Sequence, residues 1–212
     1  MPEIKERPIL FSAPMVRAIL EGRKTVTRRE VKKSAALDCL AAGFEPAFLA
    51  QPGNSDLCPY GKPGDRLWAR ETWYCDHFEV MRGPYLKPDD LDVSEARDDG
   101  TLVYAADGLT PYEADQPVWK PSIHMPRWAC RILLEITDVR VERLQDITYE
   151  EAVAEGVHRD NCCRMWTAYD EGGTCHKYPV PAFKDLWTGI NGPDAWDANP
   201  WVWVVEFKRV IP

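Results

Sequence analysis

The C-terminal run Trp201–Val210, with the sequence WVWVVEFKRV, limits the possible folds more than any other segment. Its residues are mostly β-branched and aromatic, which predicts a long β-strand. Residues 130–137 and 139–144 have the same character and predict two earlier strands. Helices do not alternate regularly with these strands, so the pattern disfavours a doubly wound parallel sheet. We expect an α+β fold built on a small mixed or antiparallel β-barrel, with helices at its rim.

Short sequence patterns predict three helices and two further strands. Ser12 as N-cap, Pro14 in the first turn and Gly22 as stop predict an N-terminal helix. Residues 148–151, Thr-Tyr-Glu-Glu, form a capping-box pattern that opens a short helix before Gly156. Another helix is predicted over residues 181–190, and further strands over 66–73 and 102–105.

The chain length of 212 residues suits a single domain over residues 1–212. Residues 76–127 are acidic and rich in proline, which indicates an inserted segment. A long structureless loop is unusual, so this insertion is expected to pack on the body or to cover a site. Residues 157–180 form a second, irregular segment before the last helix.

The charge is unevenly distributed. The formal net charge of −8 argues against indiscriminate binding to a nucleic-acid backbone. Residues 23–33 nevertheless hold six basic side chains and one acidic one. A basic strip on an acidic body favours local binding of a small anionic or nucleotide-like ligand.

The seven cysteines are an odd number, and the N-terminus lacks the apolar stretch of a signal peptide. We therefore expect a cytoplasmic protein with reduced thiols and no membrane association. Cys162, Cys163, Cys175 and His176 raise the question of a structural zinc ion. Because they contain no Cys-x-x-Cys pair and adjacent cysteines ligate one ion awkwardly, neither a metal nor another cofactor is expected.

Four sequence features occur in a fixed order. Gly22, Lys24, Thr27 and Arg29 form a Gly-x-Lys-x-x-Thr-x-Arg signature after the first helix. A Gly-Asp-x-Leu strand entry at 64–67, an Ala-Glu-Gly helix end at 154–156 and the closing strand follow. Over most of its length the chain resembles the ASCH-domain family, which has PUA-like barrels. It is most similar to the longer ASCH proteins of phages and prophages.

Within that family, the Lys-Thr-x-Thr form of the signature is similar to that of the N4-acetylcytidine amidohydrolases. The resemblance implies that Lys24, Thr27 and Glu155 are catalytic and that the substrate is a modified nucleoside or an RNA nucleotide. The two extra segments, 76–127 and 157–180, are expected to alter the pocket wall and hence the substrate.

Amide hydrolysis needs a nucleophile, a proton acceptor and a stabilised carbonyl oxygen. Thr27 offers the hydroxyl. Lys24 can accept its proton if burial and neighbouring cations lower the lysine pKa, or it can stabilise an oxyanion if it stays charged. Glu155 can act as acid or base, or it can hold Lys24. Residues 24 and 27 lie on opposite faces of an extended strand, so this hypothesis requires a turned or helical segment.

Four further residues are candidates for substrate binding: Arg28, Arg29, Trp68 and Glu71. Arg29 suits a phosphate or a ring carbonyl, and a tryptophan beside a carboxylate suits a cytosine-like ring. Two alternatives remain open: a non-catalytic module that binds RNA or modified DNA, and a ribonuclease. The sequence does not specify the oligomeric state.

Overall fold

The computed structural model describes residues 4–54, 56–108, 119–160, 164–170 and 172–210. The strands are β1 Glu6–Leu10, β2 Val26–Glu30, β3 Arg66–Arg70, β4 Trp73–Cys75, β5 Leu102–Tyr104, β6 Leu133–Arg143, β7 His158–Arg159, β8 Trp166–Thr167 and β9 Trp201–Val210. The α-helices are α1 Ala13–Leu20, α2 Ser34–Ala41, α3 Pro46–Leu49, α4 Phe78–Arg82, α5 Val93–Asp98, α6 Tyr149–Ala154 and α7 Pro179–Asn191.

The main sheet has five strands in the order β1-β3-β6-β9-β2. β1 and β3 are parallel, and the other neighbours are antiparallel. β6 and β9 pair along almost their whole length, with one register shift between Ile136 and Asp138. The two strands predicted over 130–144 are therefore one strand, because an irregularity interrupts the ladder without ending it.

The α+β class is confirmed, but the expected closed barrel is wrong. In the described part of the chain, β1 and β2 are the two edges of the sheet and do not pair with each other. A side chain bridges the two edges, because the Arg29 guanidinium donates to the carbonyl of Leu10 at the end of β1. This single side-chain contact is not a backbone ladder, so β1 and β2 do not close the sheet into a barrel.

The closing strand is buried on both faces. Trp203, Val205 and Phe207 belong to one apolar cluster, which also contains Val16 and Ile19 of α1. Val202 and Val204 belong to another, packed with residues of α6 and α7. Alternate residues of a strand point to opposite faces, so covering both faces requires the nearly continuous apolar run of the sequence.

The insertion packs on the body of the protein. β5 pairs with β4, and a third apolar cluster joins Val80 and Leu102 of the insertion to Trp68 and Leu133 of the main sheet. Its residues 109–118 lie outside the described ranges. The irregular segment 157–180 contains the short hairpin of β7 and β8. None of the helices in the described ranges is long and apolar enough to cross a bilayer.

The N-terminal helix and the capping-box helix are confirmed. α1 follows Ser12, although the Ser12 side chain makes no capping hydrogen bond, and Gly22 adopts a φ of +74° beyond the helix end. The sequence did not predict β1. It also did not predict β2, because the consecutive charged residues Arg28, Arg29 and Glu30 hide an edge strand within the basic strip.

Candidate ligand-binding site

The end of α6 carries Glu155 into the interior. The Thr148 hydroxyl accepts a hydrogen bond from the Glu151 N–H at 3.2 Å, and the Glu151 carboxylate accepts one from the Thr148 N–H at 2.9 Å. This capping box fixes the start of a helix of only six residues. After the helix, Gly156 has a φ of +101°, and a Cβ there would lie 3.1 Å from the Cβ of Ala18. Glycine thus lets the chain turn closely against α1.

Glu155 meets Lys24 through both backbone and side chain. An isolated antiparallel bridge joins the two residues. The Lys24 ammonium donates to the Glu155 carboxylate at 2.6 Å, to the Glu155 carbonyl at 2.9 Å and to the Val26 carbonyl at 2.8 Å. The exposed fractions of the two side chains are 0% and 3%. Burial lowers the pKa of Lys24, and the charge of Glu155 opposes that effect.

Arg28 holds the other side of the same carboxylate. Its Nη1 lies 3.4 Å from Glu155 Oε1, and its Nη2 lies 2.9 Å from Glu151 and 3.4 Å from Glu142. Lys24, Glu155 and Arg28 therefore form one buried charge cluster, called here the Glu155 cluster. A carboxylate between two cations is held in place and kept from rotating freely.

A cavity of about 690 Å³ opens beside this cluster. Its polar and charged lining consists of Thr27, Arg28, Arg29, Glu30, Lys32, Lys33, Tyr60, Glu155 and Asn191. Its apolar and aromatic lining consists of Met15, Pro59, Phe183, Leu186, Trp187, Ile190 and Trp203. Four basic side chains face two acidic ones, so the lining carries an excess of positive charge although the whole chain is acidic.

Three residues that line this cavity carry buried N–H donors without acceptors. Among the described residues, Arg28 Nε, Arg29 Nε and Trp203 Nε1 are buried and have no hydrogen-bond partner. Buried donors of this kind are costly unless something satisfies them. Of the three residues, only Arg29 is partly exposed, so its guanidinium is the one best placed to meet a ligand in the cavity.

The structure brings part of the predicted catalytic set together. Thr27 and Glu155 line the same cavity, whereas Lys24 lies behind Glu155 and does not line it. Thr27 belongs to the extended strand β2, so the turned segment that the hypothesis required does not extend to Thr27. Within the described residues, the Lys24 ammonium bonds to Glu155 and Val26, and no such bond joins it to Thr27.

Two predicted substrate-binding residues lie elsewhere. Glu71 accepts two hydrogen bonds from Arg131, both at 2.9 Å, and Arg131 also binds Asp107. Trp68 belongs to the apolar cluster under the insertion, and the Arg70 guanidinium lies 4.8 Å from its ring centroid. Neither Glu71 nor Trp68 lines the cavity, because β3 lies two strands away from β9 in the sheet.

The aromatic wall was not predicted from the sequence. Phe183 and Trp187 lie on α7, Trp203 lies on β9, and Tyr60 precedes the turn at Gly61. The helix and the strand were both predicted, but an aromatic residue on a cavity wall has the same sequence pattern as one in the core. Burial raises the pKa of Tyr60, which keeps its hydroxyl protonated at neutral pH.

The residues considered for zinc are partly outside the described ranges, since Cys162 and Cys163 fall in the omitted stretch 161–163. His176 Nε2 lies 2.6 Å from a carboxylate oxygen of Asp185. Among the residues that the structure describes, no group of three or more histidine, cysteine or acidic side chains is arranged to hold a metal.

Comparison of the chain with protein-family models, with curated proteins and with solved structures found no match. The assignment of function therefore depends on the cavity and on the sequence signature.

Proposed function

We propose that the chain is an ASCH-like protein with a PUA-like fold whose cavity binds an N4-acylated cytidine and hydrolyses its amide. One observation carries this proposal. Thr27 and Glu155 are 128 positions apart in the sequence, yet both line one cavity of about 690 Å³ in which Lys24 and Arg28 hold the carboxylate.

The cavity suits a nucleoside in size and lining. Its volume falls within the range of roughly 300–1,000 Å³ that is typical of small-molecule sites. Trp187, Phe183 and Tyr60 offer ring faces or edges against which a pyrimidine can pack.

The chemistry follows from which groups reach the cavity. The Thr27 oxygen attacks the acyl carbon, and its proton passes to Glu155. As the C–N bond breaks, Glu155 returns that proton to the exocyclic amine, which leaves as cytidine. Water, deprotonated by Glu155, then attacks the acyl-threonine; the proton returns to the Thr27 oxygen, and a carboxylic acid is released.

Lys24 does not accept the Thr27 proton in this scheme. All three ammonium protons have acceptors within 2.9 Å, so the charged lysine has no free lone pair for Thr27. Lys24 is therefore a positioning residue that orients Glu155. The same saturation favours a second candidate function, a non-catalytic module that binds the nucleoside or an RNA nucleotide in this cavity.

A turnover experiment distinguishes the two functions. N4-acetylcytidine is incubated with the full chain, and mass spectrometry follows cytidine and acetate. We expect turnover, and we expect Thr27→Val to reduce it by more than about 1,000-fold because the nucleophile is lost while the volume is kept. Thr167→Val is the matched control, since Thr167 is equally buried but does not line the cavity.

Each outcome has a clear meaning. Binding of N4-acetylcytidine without release of acetate contradicts the hydrolase and supports the non-catalytic module. Turnover that survives Thr27→Val excludes threonine as nucleophile. Absence of both binding and turnover refutes the nucleoside site.

A further inference from the structure

Arg28 and Arg29 are neighbours on β2, but their charges are balanced very differently. Arg28 has three carboxylate partners: Glu142, Glu151 and Glu155. Arg29 has no carboxylate within ion-pair distance among the described residues. Its guanidinium donates to the Leu10 carbonyl and lies 5.4 Å from the ring centroid of Phe11.

A partly buried guanidinium without a counter-ion is unfavourable. Burial lowers the pKa of Arg29, but a guanidinium keeps its charge at any pH at which the protein folds. Its buried Nε also lacks an acceptor in the described structure. An anion bound in the cavity would pair with the charge of the partly exposed guanidinium.

The surroundings add positive charge at the same place. Lys32 and Lys33 also line the cavity. Lys32 lies 3.7 Å from the exposed Glu30 carboxylate, and Lys33 donates to the Asp56 carbonyl at 2.6 Å. Because a carbonyl bond neutralises no charge, Arg29 and Lys33 leave an excess of positive potential at the cavity.

We propose that the natural ligand is a nucleoside monophosphate whose phosphate binds Arg29, assisted by Lys32 and Lys33. This inference rests on the proposed function and narrows its substrate class from nucleosides to nucleotides. The phosphate oxygens accept from the Arg29 guanidinium, and the pyrimidine packs against the aromatic wall near Thr27 and Glu155. Arg28 is already neutralised by its three carboxylates, so it contributes little net attraction.

A single nucleotide fits these observations better than a polynucleotide. The positive excess is confined to the cavity, while the whole chain carries −8, which repels a long phosphate backbone. Inorganic phosphate alone would leave the aromatic wall of Phe183, Trp187 and Trp203 without contact.

Isothermal titration calorimetry on the full chain tests the proposal with four probes: cytidine, cytidine 5′-monophosphate, inorganic phosphate and a ten-nucleotide oligocytidylate. We expect the monophosphate to bind at least 10-fold more tightly than cytidine. This advantage should shrink as salt rises, because screening weakens the phosphate contact. Arg29→Gln should lower monophosphate affinity by about 10- to 100-fold and leave cytidine affinity nearly unchanged.

Arg66→Gln is the matched control variant. The Nε of Arg66 is also buried and without a partner in the described structure, but Arg66 lies on β3 and does not line the cavity. This variant should bind the monophosphate as the original chain does. If Arg29→Gln fails to fold, the salt dependence of the original chain and the affinity of Arg29→Lys, which keeps the charge but loses the planar fork, replace it.

Equal affinity for cytidine and its monophosphate overturns the phosphate site and leaves the proposed function standing. If neither binds, the mononucleotide proposal is overturned, and the turnover experiment with N4-acetylcytidine decides separately whether the proposed function holds. Inorganic phosphate binding as tightly as the monophosphate, or the oligonucleotide binding more tightly, also overturns the mononucleotide proposal.

Discussion

Glu71 and Glu155 are both buried glutamates that pair with basic side chains, but they lie in different parts of the molecule. Glu155 is 3% exposed and binds Lys24 and Arg28, whereas Glu71 is 1% exposed and binds Arg131. Glu155 lines the 690 Å³ cavity and Glu71 does not. Burial and ion pairing therefore do not distinguish the two carboxylates; what differs is that only Glu155 lines a space large enough for a ligand.

The charge balance of the two places also differs. Arg131 is shared between Glu71 and Asp107, so one cation serves two carboxylates, in what is called here the Glu71 cluster. Glu155 is one carboxylate between two cations, with Arg29 nearby and lacking a carboxylate partner in the described structure. Under the proposal above, a phosphate supplies the anion that Arg29 lacks, whereas Arg131 already has two carboxylate partners.

The largest effect on the free energy of unfolding is expected when either cluster loses a cation. Lys24→Met and Arg131→Met each leave a buried carboxylate without its main partner, and each should lower the free energy of unfolding by about 3–5 kcal/mol. Urea denaturation measures the change. Lys208→Met, which removes an exposed partner of Glu135, should cost less than about 1 kcal/mol.

The same two variants test whether only the Glu155 cluster affects ligand binding. If enough folded protein remains, Arg131→Met should bind cytidine normally, and Lys24→Met should bind or turn over its ligand poorly because Glu155 is no longer oriented. Equal loss of binding in both variants would contradict the distinction between the two carboxylates.

A smaller effect is expected at alkaline pH. Burial raises the pKa of Tyr104 to about 12, and Arg131 lies 4.0 Å from its ring centroid. Above pH 10 the unfolded tyrosine loses its proton before the folded one, so the folded state loses stability as pH rises from about 10 to about 12. The loss should be on the order of 2 kcal/mol.

Urea denaturation repeated between about pH 10 and pH 12 measures how the free energy of unfolding falls with pH. Tyr104→Phe should remove the part of that fall which comes from Tyr104. Tyr60→Phe, the corresponding change at the cavity, should remove less, because Tyr60 is only partly buried. If the alkaline slope of the free energy of unfolding is unchanged in Tyr104→Phe, burial does not raise the pKa of Tyr104.

The smallest effect concerns the helix that carries Glu155. Thr148→Ala removes the capping hydrogen bond of α6 and should cost about 1 kcal/mol in thermal or urea unfolding. Because α6 positions Glu155 and not Glu71, ligand affinity should fall slightly as well. Thr101→Ala, in the insertion near Asp99, is a control that should leave ligand binding unchanged.

Local signals in the sequence located the helices α1, α6 and α7 and the strands β3, β5, β6 and β9, but not the other helices or the remaining short strands. The capping box at Thr148 and Glu151, the start of α1 near Ser12 and the strand Trp201–Val210 were predicted from short-range patterns, and the structure has all three. β1 and β2 were missed because short edge strands with charged residues have no distinctive periodicity. The barrel was wrong because strand closure depends on contacts between β1 and β2, which no local pattern records.

The candidate site, like the fold, could be predicted only in part from the sequence. The sequence alone determined that Lys24, Thr27, Arg28 and Arg29 occupy one short basic segment and that a glutamate ends a capped helix. Only the tertiary structure decided that Glu155 lies against Lys24, that Lys24 stays behind it, and that Glu71 and Trp68 lie elsewhere. The physical reason is that side-chain pairing and cavity lining depend on which distant segments pack together, whereas capping and strand propensity depend on neighbours in the chain.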